Sequence, residues 1–172
     1  MSPSRVLLIG MMGAGKTTTG RLLAQKLGWP YLDSDEQIEL QTGKTVPEIW
    51  KEQGEPAFRA EESRVLAEAC RSDGPAVISV AGGAVLDPAN RELISNAGLV
   101  VWLRAEAATL AGRVGTGAGR PLLEEGPAAA LARLLEVRAP LYRELADLTF
   151  DVDRLSPPQV VEQVAAAVRS SS

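Results

Sequence analysis

The 172-residue chain contains no histidine. Proton transfer would therefore fall to a carboxylate or to water, and a nucleophilic triad built on imidazole is excluded. A single cysteine, Cys70, excludes an intramolecular disulfide framework and a cysteine-rich zinc site. Cys70 lies in a helical pattern and reads as a small buried filler in a reducing compartment. No apolar run approaches the roughly 20 residues of a membrane-spanning helix. The start, Met1-Ser2-Pro3-Ser4-Arg5, leads directly into an apolar stretch, so no secretory leader is expected. A basic excess is also missing. Eighteen Lys and Arg against 22 Asp and Glu leave a net charge of −4, without the footprint of a nucleic-acid binder. The expectation is one domain: a cytoplasmic monomer that handles small molecules, with no nucleic acid or membrane as partner.

What is present is dominated by Gly10-Met11-Met12-Gly13-Ala14-Gly15-Lys16-Thr17. It follows the apolar run Arg5-Val6-Leu7-Leu8-Ile9 and precedes a helical pattern from about Lys16 to Leu27. Strand, glycine loop and helix in this spacing form a P-loop. Glycines let backbone N–H groups turn toward phosphate oxygens, and the helix start adds its positive dipole end. Gly13, Ala14, Gly15, Lys16, Thr17 and Thr18 are the expected nucleotide-binding residues. Lys16 supplies a cation to the outer phosphates, and the Thr17 hydroxyl is placed to reach Mg²⁺. The bland alternative, a glycine-rich turn that binds nothing, leaves the full set of fixed positions unexplained.

Strands are expected at Tyr31–Asp33, Ala76–Val80, Leu99–Leu103 and Leu148–Val152, with helices between them. Apolar runs that alternate with helical patterns imply a mostly parallel sheet covered on both faces. Ligands then gather at the carboxyl ends of the strands. Three motifs fall on that edge: the P-loop, Asp33-Ser34-Asp35 and Gly82-Gly83. The long helix expected from about Ala128 to Ala146 carries Pro140, a candidate bend.

Each motif has a structural and a chemical reading. Asp33 and Asp35 are either helix-capping aspartates or a pair serving metal and substrate hydroxyl. In the second case, one carboxylate supports Mg²⁺ and the other accepts a proton. Gly54-Glu55-x-x-Phe58-Arg59 combines a helix stop with an aromatic and a guanidinium. The pair would pack a ring and grip a carboxylate, or be a core phenylalanine beside a surface arginine. Gly82-Gly83 permits close backbone approach. Arg120, central in the loop Gly115–Leu123, is either a lid arginine on the transferring phosphate or a solvated loop residue. Arg138, before Pro140, is a second candidate anion grip. The residues alone lead to an ATP-dependent kinase of a small hydroxylated acid.

The order of these motifs, completed by Arg120-Pro121-Leu122-Leu123 and Arg138-Ala139-Pro140-Leu141-Tyr142, resembles that of the shikimate kinases from Arg5 to about Arg169. The resemblance implies a three-layer α/β P-loop fold with a five-stranded parallel sheet in order 2-3-1-4-5. It implies a substrate-binding region at about 33–62 and a lid at about 113–124. The implied reaction is ATP- and Mg²⁺-dependent phosphorylation of the 3-hydroxyl of shikimate. In that family's pattern, Lys16 holds ATP phosphates, Thr17 and Asp33 serve the metal, and Asp35 binds the reactive hydroxyl as base. Arg59 and Arg138 grip the carboxylate beside the Gly82 and Gly83 backbone. Trp50 and Phe58 line the ring, and Glu62 supports the arginines. Arg120 covers the phosphates, Arg113 stacks on adenine, and Arg154 and Pro157 belong to the adenine loop. Two departures stand out. Ala81 occupies the first position of the family's usual glycine triplet, and Leu155 replaces a commonly polar residue. A gluconate kinase and a non-catalytic nucleotide-binding module are the rivals. The first usually carries a histidine after the acidic motif, and the second would be expected to have lost Asp35, Arg59 or Arg138.

Overall fold

The computed structural model describes residues 3–114 and 126–171. Five strands form one sheet: β1 (Arg5–Ile9), β2 (Tyr31–Asp33), β3 (Ala76–Ser79), β4 (Leu99–Arg104) and β5 (Leu148–Asp151). Their order is β2-β3-β1-β4-β5 and every pairing is parallel. Leu7 stands opposite Ile78 on one side and Val100 on the other. These continuous apolar runs are buried, as parallel strands covered on both faces require.

Eight α-helices accompany the sheet among the described residues, seven in the connections and one after β5. They are α1 (Lys16–Leu27), α2 (Ser34–Thr42), α3 (Val46–Gln53), α4 (Glu55–Arg71), α5 (Pro88–Ala97), α6 (Ala107–Val114), α7 (Pro127–Leu145) and α8 (Pro157–Ser170). From β1 the chain crosses toward the β2 edge, and from β3 it crosses back over β1 to β4. Right-handed crossovers in opposite directions place their helices on opposite faces. Accordingly α1 packs with α8, whereas α4 packs with α5. The crossovers diverge between β1 and β3, so a crevice opens there at the carboxyl edge.

The expected elements are present with small boundary differences. A 3-10 turn at Ala84–Leu86, not anticipated, follows β3. At three residues it is too short to show a helical period in the sequence. Helix α7 runs through Pro140 as one element. A second, smaller apolar cluster lies apart from the main core. Ile38, Ile49, Phe58 and Val65 form it, with Val46 and Trp50 packed against them. It knits α2, α3 and α4 into the wall of the crevice.

Candidate active site

The P-loop turns on glycines whose backbone only glycine adopts easily. Gly10, Gly13 and Gly15 have φ of 144°, 85° and 90°. A Cβ on Gly10 would lie 2.7 Å from the Leu103 carbonyl oxygen, so the loop also passes too close to β4 for a side chain. Gly15 is the N-cap of α1. Lys16 reaches back across the loop and donates to the Gly10 carbonyl at 2.7 Å and the Met11 carbonyl at 3.0 Å. The Ala14 amide is used inside the loop, donating to the Met11 carbonyl at 3.1 Å, and the residue itself is buried.

A cavity of about 550 Å³ opens beside this loop. Gly13, Gly15, Lys16, Thr17 and Thr18 line one end. Asp33, Asp35, Trp50, Phe58, Arg59, Glu62, Gly82, Gly83 and Arg138 line the rest. Residues 122 positions apart in sequence, Lys16 and Arg138, thus meet in one space. Arg113, Arg154 and Pro157 stand outside this lining. Arg113 donates to the Gly13 carbonyl and the Val152 carbonyl, both at 3.1 Å, and so ties the P-loop to the segment after β5. Arg154, exposed, and Pro157, the first residue of α8, belong to that same segment. Arg120 and most of the expected lid lie outside the described residues.

The two aspartates divide their work. Asp33 caps α2: its Oδ1 accepts from the amides of Asp35 at 3.0 Å and Glu36 at 3.2 Å. Its Oδ2 accepts from the Thr17 hydroxyl at 3.3 Å. Capping thus uses one oxygen and leaves the other beside the Thr17 hydroxyl. Asp35 faces the cavity, and its Oδ1 has no hydrogen-bond partner among the described residues. Burial pushes its carboxyl up to about 6, with the neighbouring Asp33 charge adding to the effect and Lys16 opposing it.

Opposite stand two arginines. Arg59 Nη1 donates to both carboxylate oxygens of Glu62 at 3.0 and 3.1 Å. Its guanidinium carbon lies 5.4 Å from the Phe58 ring centroid and 5.9 Å from that of Trp50. Those rings are tilted against each other at 5.6 Å. Glu62 is only 2 % exposed, and burial raises its carboxyl to about 7 despite the ion pair. Arg138 is 1 % exposed, yet its Nε and Nη1 lack hydrogen-bond partners among the described residues. A buried, under-paired guanidinium lining a cavity is equipped to take a carboxylate in bidentate fashion.

The glycine pair after β3 makes room for these arginines. A Cβ on Gly82 would lie 3.3 Å from Arg138 Nη1, and one on Gly83 would lie 2.8 Å from the Arg59 guanidinium carbon. Neither glycine has a positive φ, and Gly83 is helical at −88°, −4°. Space, rather than conformation, requires glycine here. Ala81 likewise has no positive φ.

Sequence reasoning passed over Glu39 and Val46-Pro47, which also line the cavity. Glu39 sits one helical turn after Asp35, so the i, i+4 relation was its available signal. It also passed over Tyr142 as a site residue. That hydroxyl donates to the Gly82 carbonyl at 2.7 Å, and burial lifts its own pKa to about 12.

A phosphate-binding loop, a buried acceptor carboxylate and a pair of facing guanidiniums around one cavity define a P-loop kinase of a small anionic molecule. A family model described as shikimate kinase matches residues 12–169. The chain belongs to the shikimate kinase family. It is 45 % identical over 170 residues to the shikimate kinase of Thioalkalivibrio sulfidiphilus, covering 98 % of this chain and 89 % of that one. Identity is 44 % over 162 residues with that of Pseudomonas syringae pv. tomato, covering 94 % of each. The solved shikimate kinase from Acinetobacter baumannii in complex with shikimate matches with a TM-score of 0.93 and 38 % identity, covering 100 % of this chain and 96 % of that chain.

Proposed function

We propose that this chain transfers the γ-phosphoryl group of ATP to the 3-hydroxyl of shikimate, with the work divided along its cavity. The observation that carries this division is the placement of Asp35, with an unpaired buried oxygen, across one cavity from the under-paired guanidinium of Arg138. Arg138 and Arg59 take the carboxylate, and Trp50 and Phe58 flank the ring. Asp35 orients the hydroxyl and accepts its proton as the new O–P bond forms and the bond to ADP breaks. Lys16 offsets charge on the phosphoryl oxygens. Arg113, Arg154 and Pro157 bound the adenine side, and Arg120 covers the phosphates.

Mg²⁺ fits the donors present. Thr17 and Asp33 offer a hydroxyl and a carboxylate oxygen beside the phosphate loop, which suits an ion that draws its remaining ligands from phosphates and water. When bound it would neutralise phosphate charge. No cluster of three or more acidic or sulfur ligands exists among the described residues, so a dedicated protein cage is not part of this reading.

We further read the chain as a single-domain cytoplasmic monomer acting on small molecules, without nucleic acid. The half-buried thiol of Cys70 and the net charge of −4 support the compartment and the partner class. No helix among the described residues is long and apolar enough to cross a membrane. Absence of histidine speaks against a gluconate kinase. Measuring ADP release with shikimate, gluconate and nucleoside monophosphates tests the acceptor. Shikimate alone should support turnover, and release without any dependence on shikimate would overturn the proposal.

A further inference from the structure

Between the two aspartates lies Ser34, the first residue of α2. First-turn helix residues usually face water, yet Ser34 is only 3 % exposed. Its Oγ accepts a hydrogen bond from the Ala81 amide at 2.9 Å, across 47 residues. That offset is informative. In the β2–β3 ladder, Val77 donates to the Pro30 carbonyl with the same offset, and the pairing runs to Asp33 opposite Ser79. The next rung would join the Ala81 amide to residue 34, but there the chain has turned into a helix. The Ser34 side chain takes over the acceptor position that the strand backbone has given up.

This rung joins two parts of the cavity that do different chemistry. On one side it is adjacent to Asp35. On the other it begins the turn Ala81-Gly82-Gly83, against which Arg59 and Arg138 pack. The rest of that turn is also held by buried side chains. Tyr142 donates to the Gly82 carbonyl at 2.7 Å and Asn90 Nδ2 to the Ala84 carbonyl at 3.0 Å. Of these anchors, only Ser34 comes from the element that carries the acceptor carboxylate.

We propose that Ser34 is a positioning residue that sets the Asp35 carboxylate at a fixed distance from the carboxylate-gripping side of the cavity. It touches no substrate. Without it, the acid would still be gripped by Arg59 and Arg138, but its hydroxyl would no longer be held in register with Asp35 and the P-loop. This inference rests on the functional reading above. The groups that face Asp35 are Asp33 and Glu39 from its own segment, Lys16 from α1, and Arg59 and Glu62 from α4. None is altered by a change at Ser34.

The test is steady-state kinetics on wild type, Ser34→Ala and Ser34→Thr, with melting temperatures recorded alongside and assays run well below them. Ser34→Ala should lower kcat by about tenfold or more, with KM for shikimate and ATP within about threefold. Ser34→Thr, which keeps the hydroxyl, should recover most of kcat. A stability role alone would lower the melting temperature and leave kcat of the folded enzyme at the wild-type value, and that result overturns the inference. A loss in Ser34→Ala that falls on KM for shikimate rather than on kcat would overturn it too. A wild-type enzyme that failed to use shikimate would instead overturn the functional reading, and this inference with it.

Discussion

Arg59 occupies the space that a side chain on residue 83 would need. A Cβ there would lie 2.8 Å from the guanidinium carbon, on a backbone of ordinary helical geometry. Gly83→Ala therefore acts on the arginine rather than on the turn. It should raise KM for shikimate by about tenfold, consistent with losing one charged hydrogen-bonding partner, while KM for ATP stays put. Gly82→Ala, whose Cβ would meet Arg138 Nη1 at 3.3 Å, should show a smaller effect. Initial-rate measurements on both variants check this, and an unchanged KM for shikimate in Gly83→Ala would be inconsistent with it.

Arg138 should trade stability for binding. A buried guanidinium with two unpaired nitrogens is unfavourable in the unliganded protein. Arg138→Met, similar in reach and apolar, should leave the melting temperature equal or higher. Shikimate affinity should fall by about 30-fold or more, the scale of a lost buried charge pair. Calorimetric titration and thermal melts on the same preparations read both effects. A variant that loses stability and keeps affinity would contradict the assignment.

The carboxyl of Asp35 predicts a pH dependence with a definite sign. Its value in the folded protein, about 6, is above the ordinary 3.8 because burial disfavours the anion. Its stabilising effect is full below about pH 4 and is lost as pH rises through about 6. Asp35→Asn should therefore raise thermal stability more at pH 8 than at pH 4, by on the order of 3 kcal/mol at the upper limit. The same substitution should abolish most turnover. In the wild type, kcat/KM for shikimate, which reports the free enzyme, should fall as pH drops through about 6.

Much of this was legible in the sequence because the signals are local. The strand–glycine–helix succession of residues 5–27, the Pro and Gly punctuation, and the apolar runs of β1, β3 and β4 each fix their own structure. The sheet order came from the family resemblance, and opposed crossovers explain the two helical faces. What local pattern could not carry was the use of space. Gly82 and Gly83 read as a place of close backbone approach, yet what lies against them is the side chains of two arginines. Asp33 read as either a cap or a metal ligand; one of its oxygens caps α2 and the other faces the Thr17 hydroxyl. Ser34 and Tyr142 became visible only when residues far apart in sequence were brought together.

Ala81, where the family usually has glycine, should prove harmless. Its backbone has no positive φ, and it joins the turn through main-chain groups, its amide donating to Ser34 and its carbonyl accepting from the Ala84 amide. Ala81→Gly should leave KM for shikimate within about twofold and lower stability slightly, since glycine loses more chain entropy on folding. A large gain in substrate affinity in Ala81→Gly would mean that the methyl group intrudes on the site.

The central claim is that the wall opposite the P-loop, Asp35 with Arg59 and Arg138, names the acceptor through its hydroxyl and its carboxylate. The most direct measurement compares kcat/KM for shikimate and for its neutral methyl ester, in wild type and in Arg138→Met. Wild type should favour the acid by about 100-fold or more, the scale of a lost bidentate charge pair, and Arg138→Met should erase most of that preference. Equal use of acid and ester by the wild type would show that the guanidiniums serve some other purpose.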